Sequence, residues 1–153
     1  MRINNIVFKA KLIDRNLQWT RVTNTSPFMH LLKTKDYTIV AFKNTDNCRV
    51  MGKKIPSNLP VKIVCIQTMS ASHDLKFRLH LSNLAKELRK RGVKIEYEPE
   101  IFPALRLLDY DPVCVNMFSS GKITLLGLKS ELQGREIIQS ILAVGEIICF
   151  KSY

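Results

Sequence analysis

The side chains that could ligate a metal or act as nucleophile, acid or base in this 153-residue chain are 4 cysteines, 3 histidines and 13 carboxylates. Structural zinc needs thiolates and imidazoles in close pairs, roughly two to four residues apart. Cys48, Cys65, Cys114 and Cys149 are far apart with no C-x-x-C pair, and His30, His73 and His80 join them at no ligand spacing. Their apolar surroundings read as strand and helix-end positions, where cysteine acts as a small buried hydrophobe. No set of nucleophile, base and orienting group occurs, and no glycine-rich phosphate loop. The expectation is therefore a chain without enzymatic activity, metal or cofactor.

What remains is charge. The formal net charge is +11, with 11 Lys and Arg against 3 Asp and Glu in residues 1–60 and 13 against 10 in residues 61–153. Such an excess suits a polyanionic partner, and nucleic acid fits better than membrane because no apolar run approaches a membrane span. The opening residues Met1 to Asn5 hold no apolar signal region, which predicts an intracellular, reducing location. A 46% hydrophobic content can bury one sizeable core, so a single domain over residues 1–153 is expected.

The elements are best placed around the stretch Glu96 to Lys129. Ile101 to Leu108 reads as a strand that ends at Asp109-Tyr110-Asp111-Pro112, a turn cluster, and Val113 to Phe118 resumes an extended pattern. Antiparallel pairing then makes neighbours of Phe102 and Phe118. Ser119-Ser120-Gly121-Lys122 forms a second turn, with Gly121 free to take positive φ, and Ile123 to Leu126 returns as a third strand. Alternation puts Cys114, Asn116 and Phe118 on one face with Thr124 and Leu126.

Upstream, Ile6 to Leu12 alternates as a strand with Phe8, Ala10 and Leu12 toward the core. Asp14 to Thr25 supports only a short helix or turn. Phe28 to Leu32 and Tyr37 to Phe42 repeat the hairpin around Lys33-Thr34-Lys35-Asp36, followed by a strand from Cys48 to Met51, and the same phase exposes Thr38, Val40, Phe42, Arg49 and Met51. Phe28 and Phe102, Phe42 and Phe118, and Gly52 and Gly127 recur at nearly constant offset, a weak internal repeat divided at residues 60 and 61. The two prolines in Ile55 to Pro60 exclude a long helix there.

Val61 to Gln67 reads as a strand, and Leu75 to Leu81 alternates before Ser82 caps a helix that Gly92 stops. Leu84, Ala85 and Leu88 should face inward, while the basic cluster Arg89-Lys90-Arg91 suits the end of the helix. A capping box, Ser130 with Gln133, opens a last helix running to about Ile148, with Leu132, Ile138, Ile141, Leu142, Gly145 and Ile148 as its buried stripe.

Three segments carry a resemblance to a known family: Tyr97-Glu98-Pro99-Glu100-Ile101-Phe102-Pro103, Phe118-Ser119-Ser120-Gly121-Lys122, and Gly127 with Lys129-Ser130. In order and spacing they resemble the second repeat of TATA-box-binding protein. The likeness reaches back through Lys62-Ile63-Val64 and Asp74-Leu75-Lys76-Phe77 and covers roughly the last ninety residues well, the first sixty only in fragments. It implies an α+β, pseudo-symmetric saddle, an antiparallel curved sheet with helices on its convex face. Here the first repeat, residues 1–60, is degenerate and lacks its long helix, and residues 61–153 form the second. Apolar surface left bare by that loss would be a partner site. The truncation resembles the family's members from large DNA viruses, so the nucleus or a viral transcription compartment is expected.

The family inserts apolar wedges into the minor groove of promoter DNA. By resemblance the wedges would be Phe28 and Phe42 at one end and Phe102 and Phe118 at the other, although phenylalanines in such places also simply pack between strands. Asn5 would reach the groove centre, its alternative being an ordinary asparagine before a strand. Val40, Arg49, Met51, Lys62, Asn116, Thr124 and Leu126 complete the expected DNA-binding set. Glu98 and Glu100 match an acidic loop that in the family contacts a B-type general transcription factor, and they also read as a solvated turn. The chain would act as a monomer or within a hetero-complex, without a membrane.

Several residues depart from the family. Lys62 stands in place of a central asparagine, Leu126 and Met51 in place of threonines, and Asn116 and Arg49 in place of apolar residues. Lysine attracts phosphate but lacks amide recognition of base edges. Two readings follow: a transcription initiation factor on promoter DNA, and a protein-interaction module of the same fold in a transcription complex without specific DNA binding.

Overall fold

The computed structural model describes residues 1–13, 29–42, 45–53, 58–59 and 61–147. The expected turn or short helix over 14–25, Phe28, the loop around Ile55 to Pro60, Ile148 and Cys149 all lie wholly or mainly outside them. The chain divides into two compact units, residues 4–69 and residues 1–3 with 70–153.

In the first unit the strands are β1 (Arg2–Leu12), β2 (Met29–Lys33), β3 (Tyr37–Phe42), β4 (Asn47–Gly52) and the start of β5 (Val61–Asp74). Their order is β2-β3-β4-β1-β5. β2 with β3, β3 with β4 and β1 with β4 run antiparallel. The turn of the first hairpin is locked by Thr34, whose Oγ1 accepts from the Tyr37 amide at 3.1 Å and donates to the Tyr37 carbonyl at 2.9 Å. Alternation then sorts the faces. Ala10, Ile39, Ala41, Cys48, Val50 and Val61 form the core, with Phe8, Leu12, Leu32 and Tyr37 packed against it. Gly52 is needed where it stands, because a Cβ there would sit 2.6 Å from the Asp36 carbonyl oxygen.

Farther along β5, Ile63 is 40% exposed and Cys65 is exposed, although both share the phase of the buried Val61. Cys65 is therefore not the buried hydrophobe that its sequence surroundings suggested. This part of the strand stays partly bare, with Val64 58% exposed.

The second unit has strand order β5-β9-β8-β7-β6, with β6 (Ile95–Glu96), β7 (Leu105–Leu107), β8 (Cys114–Met117) and β9 (Lys122–Leu128). β6 with β7, β7 with β8 and β8 with β9 run antiparallel. The strand expected from Ile101 to Leu108 is shorter because the amides of Ile101 and Phe102 both donate to the Glu98 carbonyl at 2.9 Å, turning the chain before Pro103. The expected strand ends at Val113 and Phe118 likewise fall in turns: the Val113 amide donates to Tyr110 O and the Phe118 amide to Lys122 O, each at 2.9 Å.

Helices α1 (Leu81–Lys90) and α2 (Glu131–Ile147) bring their apolar stripes to this unit's core. Leu84, Ala85 and Leu88 are buried as expected, and Leu81 joins them at helical spacing. The α1 cap is His80, not Ser82: its Nδ1 accepts from the Asn83 amide at 3.4 Å, two residues earlier than a cap at Ser82 would. Gly92 follows at φ +75, a left-handed residue that ends the helix. At α2, Ser130 Oγ accepts from the Gln133 amide at 3.1 Å, while Gln133 Oε1 reaches past the cap residue to the Lys129 amide at 2.8 Å.

The buried stripe of α2 is rotated from the expected one. Ile137, Ile138 and Ile141 are buried, whereas Leu132 is 66% exposed and Leu142 sits at the rim. Gly134 sets that rotation: a Cβ there would meet Leu128 Cδ1 and Met1 Sδ at 2.9 Å, so the glycine presses α2 against β9. No helix among the described residues is long and apolar enough to cross a membrane.

Candidate functional site

In the second unit the helices cover the face that carries Leu105, Leu107, Val115, Met117, Ile123 and Leu125, all buried. The intervening residues occupy the other face. Register places Glu96, Arg106, Asn116 and Thr124 side by side across four strands, with Cys114 opposite Leu126. Leu126 is 46% exposed and Phe102 38%. The rings of Phe102 and Phe118 meet edge to face, with centroids 6.2 Å apart and planes at 71°. That is the neighbour relation expected of the hairpin, although Phe102 arrives through a turn.

Arg106 lies at the centre of this face, and the sequence reading did not single it out. Its guanidinium is 5.9 Å from the centroid of the Phe102 ring. Nη1 donates to Glu96 Oε2 at 3.2 Å, and Nε to Asn116 Oδ1 at 3.5 Å. The Cys114 thiol donates to the same Asn116 oxygen at 3.7 Å. Asn116, a buried polar residue at 5% exposure, is thus held from two sides. The signal for Arg106 in the sequence is a cation between Leu105 and Leu107, which strand alternation places on the face opposite those two leucines.

The first unit arranges its uncovered face by the same alternation. Leu31, Val40, Arg49 and Lys9 form one cross-strand row, and Thr38, Met51 and Val7 the next. Phe42 is 37% exposed, with the Arg49 guanidinium 5.9 Å from its ring centroid. Asn5 is exposed and opens onto a cleft of about 700 Å³ shared with Thr38 and Met51 and rimmed by Lys33, Lys35 and Lys53. Lys9 and those three lysines were not among the expected site residues, though alternation already put Lys9 on this side. Lys62 is exposed on β5.

Glu98 and Glu100 are exposed in the turn that precedes Phe102. The described cysteines are free; burial pushes the Cys48 thiol up, more than the neighbouring Arg49 lowers it, which keeps it protonated. Among the described residues no three His, Cys, Asp or Glu side chains gather as a metal site. On the helix side, an apolar cavity of about 290 Å³ lies among Leu88, Val93, Leu107, Met117, Ile141 and Val144, closed at one wall by a 3.0 Å hydrogen bond from Tyr110 to Ser140.

Comparisons with known proteins bear on this arrangement. Residues 63–144 match the family described as "Transcription factor TFIID (or TATA-binding protein, TBP)". A TATA-box-binding protein-like 1 of Entamoeba histolytica is 33% identical over 95% of this chain, and the TATA-box-binding protein of Methanocaldococcus jannaschii is 36% identical over 72% of it. The aligned parts make up 66% and 57% of those two proteins, so the chain spans less than two thirds of either. The solved structure of Methanococcus jannaschii TBP superposes with a TM-score of 0.69, covering 93% of this chain and 95% of that one at 23% identity, which establishes a shared fold. The matched segment takes in β6 to β9, both helices through Val144 and most of β5, and on that ground the chain belongs to the TATA-binding protein family.

Proposed function

We propose that this chain is a transcription initiation factor that binds promoter DNA from the minor groove, using the uncovered face of each unit. The observation that carries the reading is the edge-to-face pair Phe102 and Phe118, partly exposed on a sheet face beside a cation, in a chain of this family. Partly exposed rings can leave their mutual contact and enter a base step, and the unstacking they cause is offset by the protein surface a bent duplex can reach. Phe42 beside Arg49 offers a second such place, and Phe28 would be its partner. Asn5, Val40, Met51, Lys62, Asn116, Thr124 and Leu126 would line the groove, with Lys9, Lys33, Lys35 and Lys53 near enough to phosphates to supply affinity without sequence preference. As a DNA-reading member of a transcription-factor family, the chain would act as one two-repeat domain without enzymatic activity. Glu98 and Glu100 would present carboxylates to a basic surface of a B-type initiation factor.

Titration of a labelled A·T-rich duplex with the purified chain at a series of salt concentrations tests the proposal. If basic residues displace counterions from several phosphates, the logarithm of the binding constant falls linearly with that of salt, by about 0.9 per phosphate contacted. Absence of binding at low salt would refute DNA recognition and leave the protein-interaction module.

A further inference from the structure

We propose that Arg106 is a specificity-determining residue: its donor-only guanidinium, fixed beside Phe102, selects against guanine at the base step next to the wedge. This rests on the proposed minor-groove binding. Every base pair shows acceptors in the minor groove, but only G·C adds a donor, the guanine N2 amino group. Arginine has five N–H donors and no acceptor, so it satisfies the acceptors of an A·T step and leaves a guanine amino group facing donors.

The geometry makes this more than a matter of residue type. A flexible arginine could swing away from a guanine, but this one is tied at three points: Glu96 at 3.2 Å, Asn116 at 3.5 Å and the Phe102 ring at 5.9 Å. The same contacts draw two neighbouring acceptor oxygens toward the protein. Asn116 Oδ1 is turned onto Arg106 Nε and the Cys114 thiol, and Glu96 Oε2 onto Arg106 Nη1. Glu96 and Asn116 are accordingly positioning residues, while the Arg106 side chain, 40% exposed, is the group that meets the base edge. The ion pair with Glu96 also lowers the value of Arg106 as a phosphate contact, because a carboxylate beside it opposes the DNA charge. Its position therefore serves selectivity at a cost in general affinity.

The test uses a labelled duplex with a central A·T run, a set in which single pairs along the run are replaced by G·C, and the same set with inosine in place of guanine. Inosine·C lacks only the amino group in the minor groove. The wild-type chain should bind the G·C duplex about tenfold more weakly than its inosine counterpart at one or two adjacent positions. Arg106→Gln, which supplies an amide acceptor, should bring that ratio toward one at those positions and leave the other positions unchanged. Arg106→Lys, a donor without an acceptor, should keep the ratio above one. A wild-type ratio of one at every position, or a ratio untouched by Arg106→Gln, overturns the inference while the binding itself upholds DNA recognition. A wild-type chain that binds none of the duplexes overturns both.

Discussion

Replacing Phe102 and Phe118 by alanine separates rings that serve a ligand from rings that serve the core. Phe102 keeps 38% of its surface exposed, and Phe118 is half-buried. Full burial of a phenylalanine side chain is worth about 1.5 to 3 kcal/mol, so a ring with more than a third of its surface in water contributes about 1 to 2 kcal/mol. The edge-to-face contact adds about 1 kcal/mol, lost once however many of the two rings are removed. The double variant should therefore lose about 3 to 5 kcal/mol in urea unfolding, and Phe102→Ala alone about 2 to 3 kcal/mol. A cavity on the exposed face can also fill with water or with Arg106, which keeps the cost toward the lower end. Leu125→Ala sets the scale for a true core position, because Leu125 is 0% exposed and its loss should cost about 3 to 5 kcal/mol by itself. The same variants are then read in an end-labelled duplex whose energy transfer reports bending. Phe102→Ala with Phe118→Ala should abolish the bend, while a folded Leu125→Ala should retain it. A wild-type bend in the double variant, or a Phe102→Ala stability loss equal to that of Leu125→Ala, would show that these rings are packing residues.

Two glycines with positive φ should respond very differently to alanine. Gly121, at φ +88, would place its Cβ against the Phe77 carbonyl oxygen, so Gly121→Ala should destabilise the fold by more than about 2 kcal/mol; Gly92, at φ +75 with open space around it, should cost only about 1 kcal/mol, and equal losses in urea unfolding would contradict this. Asp74 is held below the usual carboxylate range by the Lys76 amide at 2.8 Å and then by the Lys76 ammonium at 3.0 Å. Its contribution is thus present above the ordinary carboxylate pKa and lost as pH falls through the lowered one, and Asp74→Asn should flatten that acid limb of a stability profile. Charge reversal by Glu98→Lys with Glu100→Lys should prevent a complex with a purified B-type initiation factor on duplex DNA, seen as a lost supershift, while leaving the weaker intrinsic DNA binding equal or slightly tighter. An intact supershift would remove the acidic turn from the interface.

The elements that alternate cleanly were legible in the sequence. Ile39 and Ala41 between Thr38, Val40 and Phe42, and Val115 and Met117 between Cys114, Asn116 and Phe118, sort the two faces with no knowledge of the fold, because a strand's period of two allows no other arrangement. Helix faces were less legible. The α2 stripe turned toward Ile137 and away from Leu132 because the close approach at Gly134 fixes the helix rotation, and a missing side chain leaves no trace in a hydrophobic pattern. The α1 cap moved from Ser82 to His80 for a related reason: an imidazole nitrogen can accept from the helix amide two residues earlier than the better-known hydroxyl cap. Strand ends were misjudged wherever backbone hydrogen bonds closed a turn inside an apolar run, as the Glu98 carbonyl does ahead of Phe102.

The site was legible by position and much less so by chemistry. A family resemblance carries a backbone and its turns, so the residues that set them, such as Gly121 at its close approach to Phe77, could be read across. The uncovered face is under no such geometric demand, and there Arg49 and Asn116 stand where the resemblance implies apolar residues. Each departure seen alone suggested only a weakened grip. Register shows that Asn116 stands between Arg106 and Thr124, and that Arg106 stands between Asn116 and Glu96, so Arg106 can donate to a neighbour on each side. A nearly buried asparagine without a partner would cost about 1 to 3 kcal/mol, and in this row its carbonyl has two donors. A leucine at 116 would leave Arg106 with Glu96 alone, and a leucine at 106 would leave the Asn116 oxygen to the weaker thiol donor. The polar side chains therefore make sense as a set: the Arg106 guanidinium and the Cys114 thiol both donate to the Asn116 carbonyl, and Glu96 holds the guanidinium from its other side.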